Sequence, residues 1–129
     1  TSLLEGLVWG ERAAQHILHR LPETAHFAAS EIPAWVEPGQ ETADPALLSQ
    51  DMSSIKHMMW NYVGLVRTTP RLERALRELT RLETEIEQFY RKTRLSDELI
   101  GLRNAVRTAL LITNAAWQNK RSLGCHYRE

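Results

Sequence analysis

The residue types best suited to bind a metal ion occur in two pairs near the start of the chain. Glu23 and His26 have the Glu-x-x-His spacing of one ligand pair in a di-iron helical bundle. A di-iron site also needs a second Glu-x-x-His and two further buried glutamates, which this sequence does not supply. His16 and His19 lie on the polar side of a predicted helix, without a third ligand. The spacing therefore predicts no metal site.

Cys125 and His126 combine a nucleophile with a base. A catalytic Cys–His pair must meet in space, and a third group must orient the base. Adjacent side chains on an extended segment instead point to opposite faces. Gly-rich phosphate loops, paired catalytic carboxylates and Ser/His/Asp sets are also missing from the sequence. We therefore expect no catalytic residue in this chain.

A row of arginines suggests phosphate or nucleic-acid binding; its members are Arg71, Arg74, Arg77 and Arg81. These arginines alternate with glutamates, which indicates a solvated, ion-paired surface instead. Arg67 and Arg103 stand apart from the row. Arg103 falls close to an apolar stripe and needs a carboxylate partner, for which Glu83 or Glu87 is suitable.

The stretch 71–91 has the clearest helical pattern of the elements that must position these residues. Thr69 is a suitable N-cap and Pro70 a suitable first helical residue. At 100° per residue its apolar side chains share one face. They are Leu72, Ala75, Leu76, Leu79, Leu82, Ile86, Phe89 and Tyr90. Such a helix needs partners to cover this face.

Three further helices are predicted, at 2–20, from about 51 to 67, and from about 97 to 120 with Ser96 as N-cap. The core face of the second comprises Met52, Ile55, Met58, Met59, Tyr62, Val63, Leu65 and Val66. The stripe of the last comprises Leu99, Leu102, Val106, Ala109, Leu110, Thr113 and Trp117, widened by Ile100, Leu111, Ile112 and Ala116. A very short turn between the second and third helices makes them antiparallel.

The predicted fold class is all-α: a three-helix up-down-up bundle preceded by an N-terminal helix and a long irregular linker. Prolines and glycines interrupt residues 22–50, which is long for a structureless loop inside a compact domain. We therefore divide the chain into a terminal helix at 1–21, a linker at 22–50 and a bundle domain at 51–129.

Composition excludes several classes of function. Sixteen basic residues balance sixteen acidic ones, so no overall field favours nucleic acid or an anionic membrane. No apolar run approaches the ~20 residues of a membrane span. The single Cys125 excludes an internal disulfide and fits a reducing, cytoplasmic compartment. The chain begins on an amphipathic pattern without Met, so we expect a fragment of a longer protein.

Two long stretches resemble the C-terminal helical domain of the L-aspartate oxidase family, a branch of the succinate dehydrogenase/fumarate reductase flavoproteins. They are MMWNYVGLVRTTPRLERALRELTRLETEIEQFYR and LIGLRNAVRTALLITNAAWQNKRSLGCHYRE. The opening TSLLEGLVWGERAA resembles the family's Ser-Leu-Leu-Glu segment, the last piece of its FAD-binding domain. The resemblance thus covers nearly all of the chain except residues 22–50.

The resemblance implies an enzyme that oxidises L-aspartate to iminoaspartate and transfers the electrons to FAD. Oxygen or fumarate then reoxidises the reduced FAD. Its product feeds quinolinate formation in NAD biosynthesis. Ser2 and Leu3 match the Ser-Leu that meets the flavin ring through its backbone. The family's dinucleotide-binding Gly motif and its substrate-binding and catalytic residues lie upstream of the matching part. We therefore expect this chain to be inactive and to bind no FAD by itself.

The chain departs from the family's pattern at its end. Related flavoproteins often read Ser-Arg-Gly-x-His, whereas Leu123 occupies the Arg position here, so no role of that Arg transfers to this chain. Relatives also usually continue past Glu129. Two alternatives stay open: a free-standing helical protein-interaction module, and a fragment of a succinate dehydrogenase or fumarate reductase flavoprotein. The Met-Trp-Asn-Tyr-Val-Gly segment argues against the second.

The helix at 2–20 is expected to have the flavin-binding domain of the same protein as its natural partner. Its apolar residues include Leu3, Leu4, Leu7, Val8, Ile17 and Leu18. Leaving such a face in water is unfavourable. In this chain we expect the helix to dock on the bundle, to exchange with a second copy, or to form a dimer through residues 2–20.

Overall fold

A computed structural model describes residues 2–23 and 27–129 of the chain. Its helices are α1 (Ser2–Arg20), α2 (Pro45–Val63), α3 (Thr69–Lys92) and α4 (Asp97–Gln118). Short 3₁₀ turns at Leu21–Glu23 and Ala29–Glu31, and strands β1 (Val66–Arg67) and β2 (Tyr127–Arg128), complete the regular structure. The all-α fold class is confirmed. None of the described helices is long and apolar enough to cross a membrane.

The chain divides into two compact units, one ending at Trp35 and the other running from Val36 to Glu129. In the second unit α2, α3 and α4 form the predicted three-helix bundle around one apolar core. The buried core side chains are Leu48, Ile55, Val63, Leu72, Ala75, Leu79, Leu82, Ile86, Leu99, Leu102, Val106, Ala109 and Ala116. Residues spaced three and four apart on α3 and α4 dominate this list, as expected for amphipathic helices.

Helix α3 contributes the predicted face but begins differently from the prediction. Its N-cap is Thr68, whose hydroxyl accepts a hydrogen bond from the Arg71 N–H at 3.4 Å. The assignment of the cap to Thr69 was therefore wrong. Thr69 is the first helical residue, and its hydroxyl accepts from Arg128 Nη2 at 2.7 Å. This side chain thus connects the start of α3 to the C-terminal tail.

Helix α2 is shifted towards the N-terminus relative to the predicted range. It begins at Pro45, where the Asp44 carboxylate accepts from the Ala46 N–H at 2.9 Å, and it ends at Val63. The chain leaves the helix at Gly64 to form β1. Leu65 is consequently 85% exposed and Val66 43% exposed, so their assignment to the core was wrong.

Helix α4 confirms the predicted cap, since the Ser96 hydroxyl accepts from the Leu99 N–H at 3.3 Å. Its predicted stripe is too wide at one edge. Leu110 is half-buried rather than buried, because it packs at the margin of the core. Of the four widening residues, Ala116 is buried as predicted, whereas the other three, Ile100, Leu111 and Ile112, are exposed.

Part of the irregular segment is held against the end of α3. The Glu41 N–H donates to the Lys92 carbonyl at 3.0 Å, and the Arg94 N–H donates to the Glu41 carbonyl at 2.8 Å. Gly39 approaches the same place so closely that an added Cβ would overlap the Lys92 carbonyl group. Only a residue without a side chain fits there.

Helix α1 belongs to the first unit and confirms the predicted terminal helix. It has 19 residues, none of which is buried. Glu23 ends the 3₁₀ turn that follows, whereas His26 lies outside the described residues. Among the residues that the structure describes, no group of three or more His, Cys, Asp or Glu side chains could hold a metal ion.

Candidate functional site

The densest polar contacts of the second unit lie where the C-terminal tail meets the end of α2. Strand β2 pairs in parallel with β1, with Val66 opposite Tyr127 and Arg67 opposite Arg128. The Glu129 N–H extends this pairing by donating to the Arg67 carbonyl at 2.9 Å. We call the set Arg67, Asn119, Ser122, His126 and Arg128 the tail clasp.

A tight turn aims the tail at this position. Leu123 and His126 exchange two backbone hydrogen bonds, of 2.9 and 3.1 Å, across Gly124 and Cys125. Gly124 has a φ of 58°, and glycine adopts this left-handed region without strain. Glycine at the first central position is typical of a two-residue type II′ turn. The glycine of the predicted motif is therefore a turn residue that directs His126 back towards β1.

Arg67 occupies the C-terminal end of α2. Its Nε donates to the carbonyls of Val63 and Gly64, both at 3.1 Å. The last carbonyls of a helix have no partner within the helix and carry partial negative charge, so a guanidinium is favourable there. The Nη1 of Arg67 lies 2.8 Å from Nδ1 of His126.

These contacts determine the tautomer of His126. A guanidinium can only donate, so Nδ1 of the imidazole must accept from Arg67. The other ring nitrogen, Nε2, then carries the hydrogen and donates to the Asn119 carbonyl at 3.0 Å. Both ring nitrogens are occupied. His126 therefore has no free nitrogen with which to activate the exposed thiol of Cys125.

Arg128 performs at α4 the role that Arg67 has at α2. Its Nη1 donates to three carbonyls at the end of that helix, those of Ala116 at 3.2 Å, Trp117 at 2.7 Å and Asn119 at 3.1 Å. Its backbone N–H donates to the Ser122 hydroxyl at 3.0 Å. With the bond from Nη2 to Thr69, the tail joins the ends of α2 and α4 to the start of α3.

A second polar cluster joins α3 to α4. Arg103 donates twice to the Glu87 carboxylate, at 2.5 and 3.2 Å, and Arg107 Nη2 donates to it at 2.7 Å. The Arg103 guanidinium also lies over the Tyr90 ring, 4.2 Å from its centroid. The hydrogen bond from Arg103 lowers the pKa of Glu87 below its ordinary value, against the opposing effect of burial. The predicted Arg103–Glu87 pair is confirmed, whereas Glu83 pairs with Arg107 at 3.8 Å.

The ion pairing predicted for the arginine row on α3 is confirmed at Arg81 alone among the described residues. Arg81 pairs with Glu85 at 2.9 Å and with Glu78 at 3.8 Å, and all three side chains are exposed. Across the neighbouring cleft, burial raises the pKa of Asp51, and the charge of Glu85 adds to the effect. Exposed pairs of this kind contribute little stability.

A cavity of about 690 Å³ lies between the start of α2 and the start of α4. Two charged side chains, Arg94 and Glu98, border it, and its apolar lining includes Ala43, Pro45, Leu48, Met52 and Leu95. These two charges balance, so the cavity lacks the excess of positive charge that attracts phosphate.

The predicted flavin contacts, Ser2 and Leu3, are the first two residues of α1. Both are exposed, Leu3 to 91%. Because the first N–H groups of a helix have no acceptor within the helix, the backbone here can donate to a ligand.

Comparison with known proteins places these features in a family. Residues 52–129 match the family model described as fumarate reductase flavoprotein C-term, which is more than half of the chain. The chain belongs to this flavoprotein family. It is 46% identical to the L-aspartate oxidase of Yersinia pestis and 43% identical to L-aspartate oxidase 1 of Ralstonia nicotianae, each over 98% of this chain. The L-aspartate oxidase of Halobacterium salinarum is 41% identical over 99% of the chain.

The chain spans about a quarter of the length of these relatives, 24% in each of the three. The family match includes both polar clusters, the tail clasp and the Glu87–Arg103 pair. It begins after α1, whereas the similarity to the L-aspartate oxidases extends over nearly the whole chain.

Sequence reasoning missed most of the tail clasp of this flavoprotein domain. Arg67 was singled out without a partner, and Asn119 and Arg128 were not singled out at all. A usable signal was present, since Gly124 followed by His126 and Arg128 at alternate positions indicates a turn and then one face of a strand. The sequence does not indicate which helix ends this strand face contacts, because those contacts depend on the packing of the bundle.

Proposed function

We propose that this chain is the helical C-terminal part of an FAD-dependent L-aspartate oxidase. Such an enzyme oxidises L-aspartate to iminoaspartate, with oxygen or fumarate as the final electron acceptor, and its product feeds quinolinate formation in NAD biosynthesis. The observation that carries the proposal is the 46% identity to the Yersinia pestis L-aspartate oxidase over 98% of this chain.

We further propose the division of the chain into the terminal helix of the FAD-binding domain at 1–21, a linker at 22–50 and the bundle domain at 51–129. The backbone bonds of Glu41 with Lys92 and Arg94 support attachment of the last part of the linker to the bundle. The bundle then has a structural role, and the flavin-binding domain of the same protein is its partner.

Ser2 and Leu3 are the proposed flavin contacts. Helix α1 starts at Ser2, and its first N–H groups and partial positive charge would favour negative charge on one edge of the flavin ring. FAD would supply the two-electron acceptor. The residues described here contain no Gly-rich phosphate loop, so we expect the 129-residue chain to bind FAD weakly and to oxidise no L-aspartate.

A chimera tests the proposal. The C-terminal quarter of the Yersinia pestis relative is replaced by this chain, and L-aspartate-dependent flavin reduction is measured. We expect the chimera to oxidise L-aspartate, because each side would recover its natural kind of partner. A matched chimera carrying Leu102→Asp, which places a charge in the bundle core, should lose the activity.

The substrate separates the proposal from its alternatives. Oxidation of succinate instead of L-aspartate would favour the succinate dehydrogenase or fumarate reductase alternative. A chimera that folds and binds FAD but oxidises neither compound would favour a free-standing interaction module. For the chain alone, a stoichiometric FAD complex of submicromolar affinity would contradict the expected weak binding.

A further inference from the structure

His126 lies at the one point of the tail clasp where a change of protonation alters the hydrogen bonding. We propose that His126 is an acid-sensitive latch, whose protonation releases residues 122–129 from β1. The proposal goes beyond the enzymatic function and does not depend on it.

The bonds of His126 require a neutral imidazole. Nδ1 accepts from Arg67 at 2.8 Å, and Nε2 donates to the Asn119 carbonyl at 3.0 Å. A protonated imidazole has a hydrogen on both nitrogens and cannot accept. Protonation therefore replaces the bond from Arg67 with two donors facing each other.

The charges around the ring oppose an additional positive charge. Arg67 bonds directly to the ring, and Arg128 donates to the same Asn119 carbonyl as His126. Neither arginine has a carboxylate within ion-pair distance among the described residues. Glu129, the nearest acidic residue along the chain, has no ion pair in the described part of the structure. A protonated His126 would thus be a third cation without a compensating anion.

Release would be confined to the tail. The bonds from Arg67 Nε to Val63 and Gly64 join residues of one short segment, so they do not need the tail. Among the described residues, the buried core ends at Ala116, and the partly buried side chains packed against it end at Trp117. We therefore expect the tail to detach at low pH while α2, α3 and α4 stay folded.

Amide hydrogen exchange of the 129-residue chain, followed by NMR, tests the latch. The reporter is the Glu129 N–H, which is bonded to the Arg67 carbonyl, and the reference is the Thr93 N–H, which is bonded to the Phe89 carbonyl outside the tail clasp. Between about pH 7.5 and about pH 5, the protection factor of Glu129 should fall roughly tenfold, the equivalent of one hydrogen bond to a charged group. The protection factor of Thr93 should stay constant.

The matched variant is His126→Gln, whose side-chain oxygen can accept from Arg67 and whose NH₂ can donate to Asn119 without titrating. We expect its Glu129 protection to be independent of pH, whereas the control His57→Gln, at an exposed position of α2, should behave as the unmodified chain. If His126→Gln detaches the tail at every pH, the ring ¹⁵N shifts of His126 in the unmodified chain replace the variant as the test. They give the midpoint of the His126 titration, which is compared with the pH at which Glu129 loses protection. Loss of Glu129 protection with the midpoint of the His126 titration supports the latch. The latch is overturned if the protection of Glu129 in the unmodified chain does not change with pH, or if it falls equally in the unmodified chain and in His126→Gln. It is also overturned if the loss of protection has a different midpoint from the His126 titration.

Discussion

Helices α1 and α3 have the same kind of amphipathic pattern but differ in the burial of their apolar side chains. Both are amphipathic, with 19 and 24 residues. No residue of α1 is buried, whereas Leu72, Ala75 and Leu79 of α3 are completely buried. An amphipathic pattern thus tells which face of a helix requires cover, and it does not tell whether the chain supplies the cover. The predictions below test this contrast, from the largest effect to the smallest.

A leucine in each region gives the largest expected difference. Leu79→Ala should lower the free energy of unfolding by ~2–5 kcal/mol, because it leaves a cavity in the core. Leu7→Ala, at a position of α1 that is 70% exposed, should change it by less than ~0.5 kcal/mol. Urea denaturation followed by circular dichroism measures both. Equal losses would show that the α1 face is as well covered as the core.

Two glycines should respond with opposite signs. Gly39→Ala should destabilise the bundle unit by ~1–3 kcal/mol, since its Cβ would overlap the Lys92 carbonyl group. Gly6→Ala meets nothing within 4 Å and should increase the helicity of α1, a gain of up to ~1 kcal/mol. The same denaturation experiment and the helical signal at low temperature report the two effects. A neutral Gly39→Ala would contradict the close approach.

Acidic residues extend the comparison to charge. Glu87→Gln should cost ~1 kcal/mol at neutral pH, whereas Glu11→Gln, which alters an exposed bond to Gln15 in α1, should have no measurable effect. The pKa of Glu87 is lower in the folded than in the unfolded chain, chiefly through the bond from Arg103. Its contribution is therefore complete above its ordinary pKa of 4.5 and is lost as the pH falls through the lower folded value. Urea titrations at decreasing pH across this range should show that the free energies of unfolding of Glu87→Gln and of the unmodified chain become more similar. A constant difference would exclude the carboxylate as its source.

Removal of the first unit should have the smallest effect on stability. Residues 36–129 should unfold cooperatively within ~0.5 kcal/mol of the full chain, because no residue of α1 is buried. The full chain should also associate at high concentration through the apolar face of residues 2–20, whereas 36–129 should stay monomeric. Sedimentation equilibrium compares the two. If both are monomeric and amides of α1 exchange as slowly as those of α4, the contrast between the regions fails.

Local sequence signals determined much of the bundle. The faces of α3 and α4 and the Ser96 cap follow from side-chain spacing and from a hydroxyl placed before the first helical turn. The Arg103–Glu87 pair was also accessible, because a cation beside an apolar stripe needs a carboxylate and few were within reach. These features depend on residues that are close in sequence or on one face of a predicted helix.

Tertiary structure decided the features that join distant parts of the chain. The spacing of residues 51–67 continues a helical pattern past Val63, yet the chain leaves the helix at Gly64 so that β1 can pair with the tail. Arg128 bonds to Thr69, 59 residues away, and to the end of α4. No local pattern specifies such contacts, since they arise only after packing has brought the helix ends together. Propensity therefore placed the helices and their buried faces, and packing determined where α2 ends, how Gly39 fits and what His126 contacts.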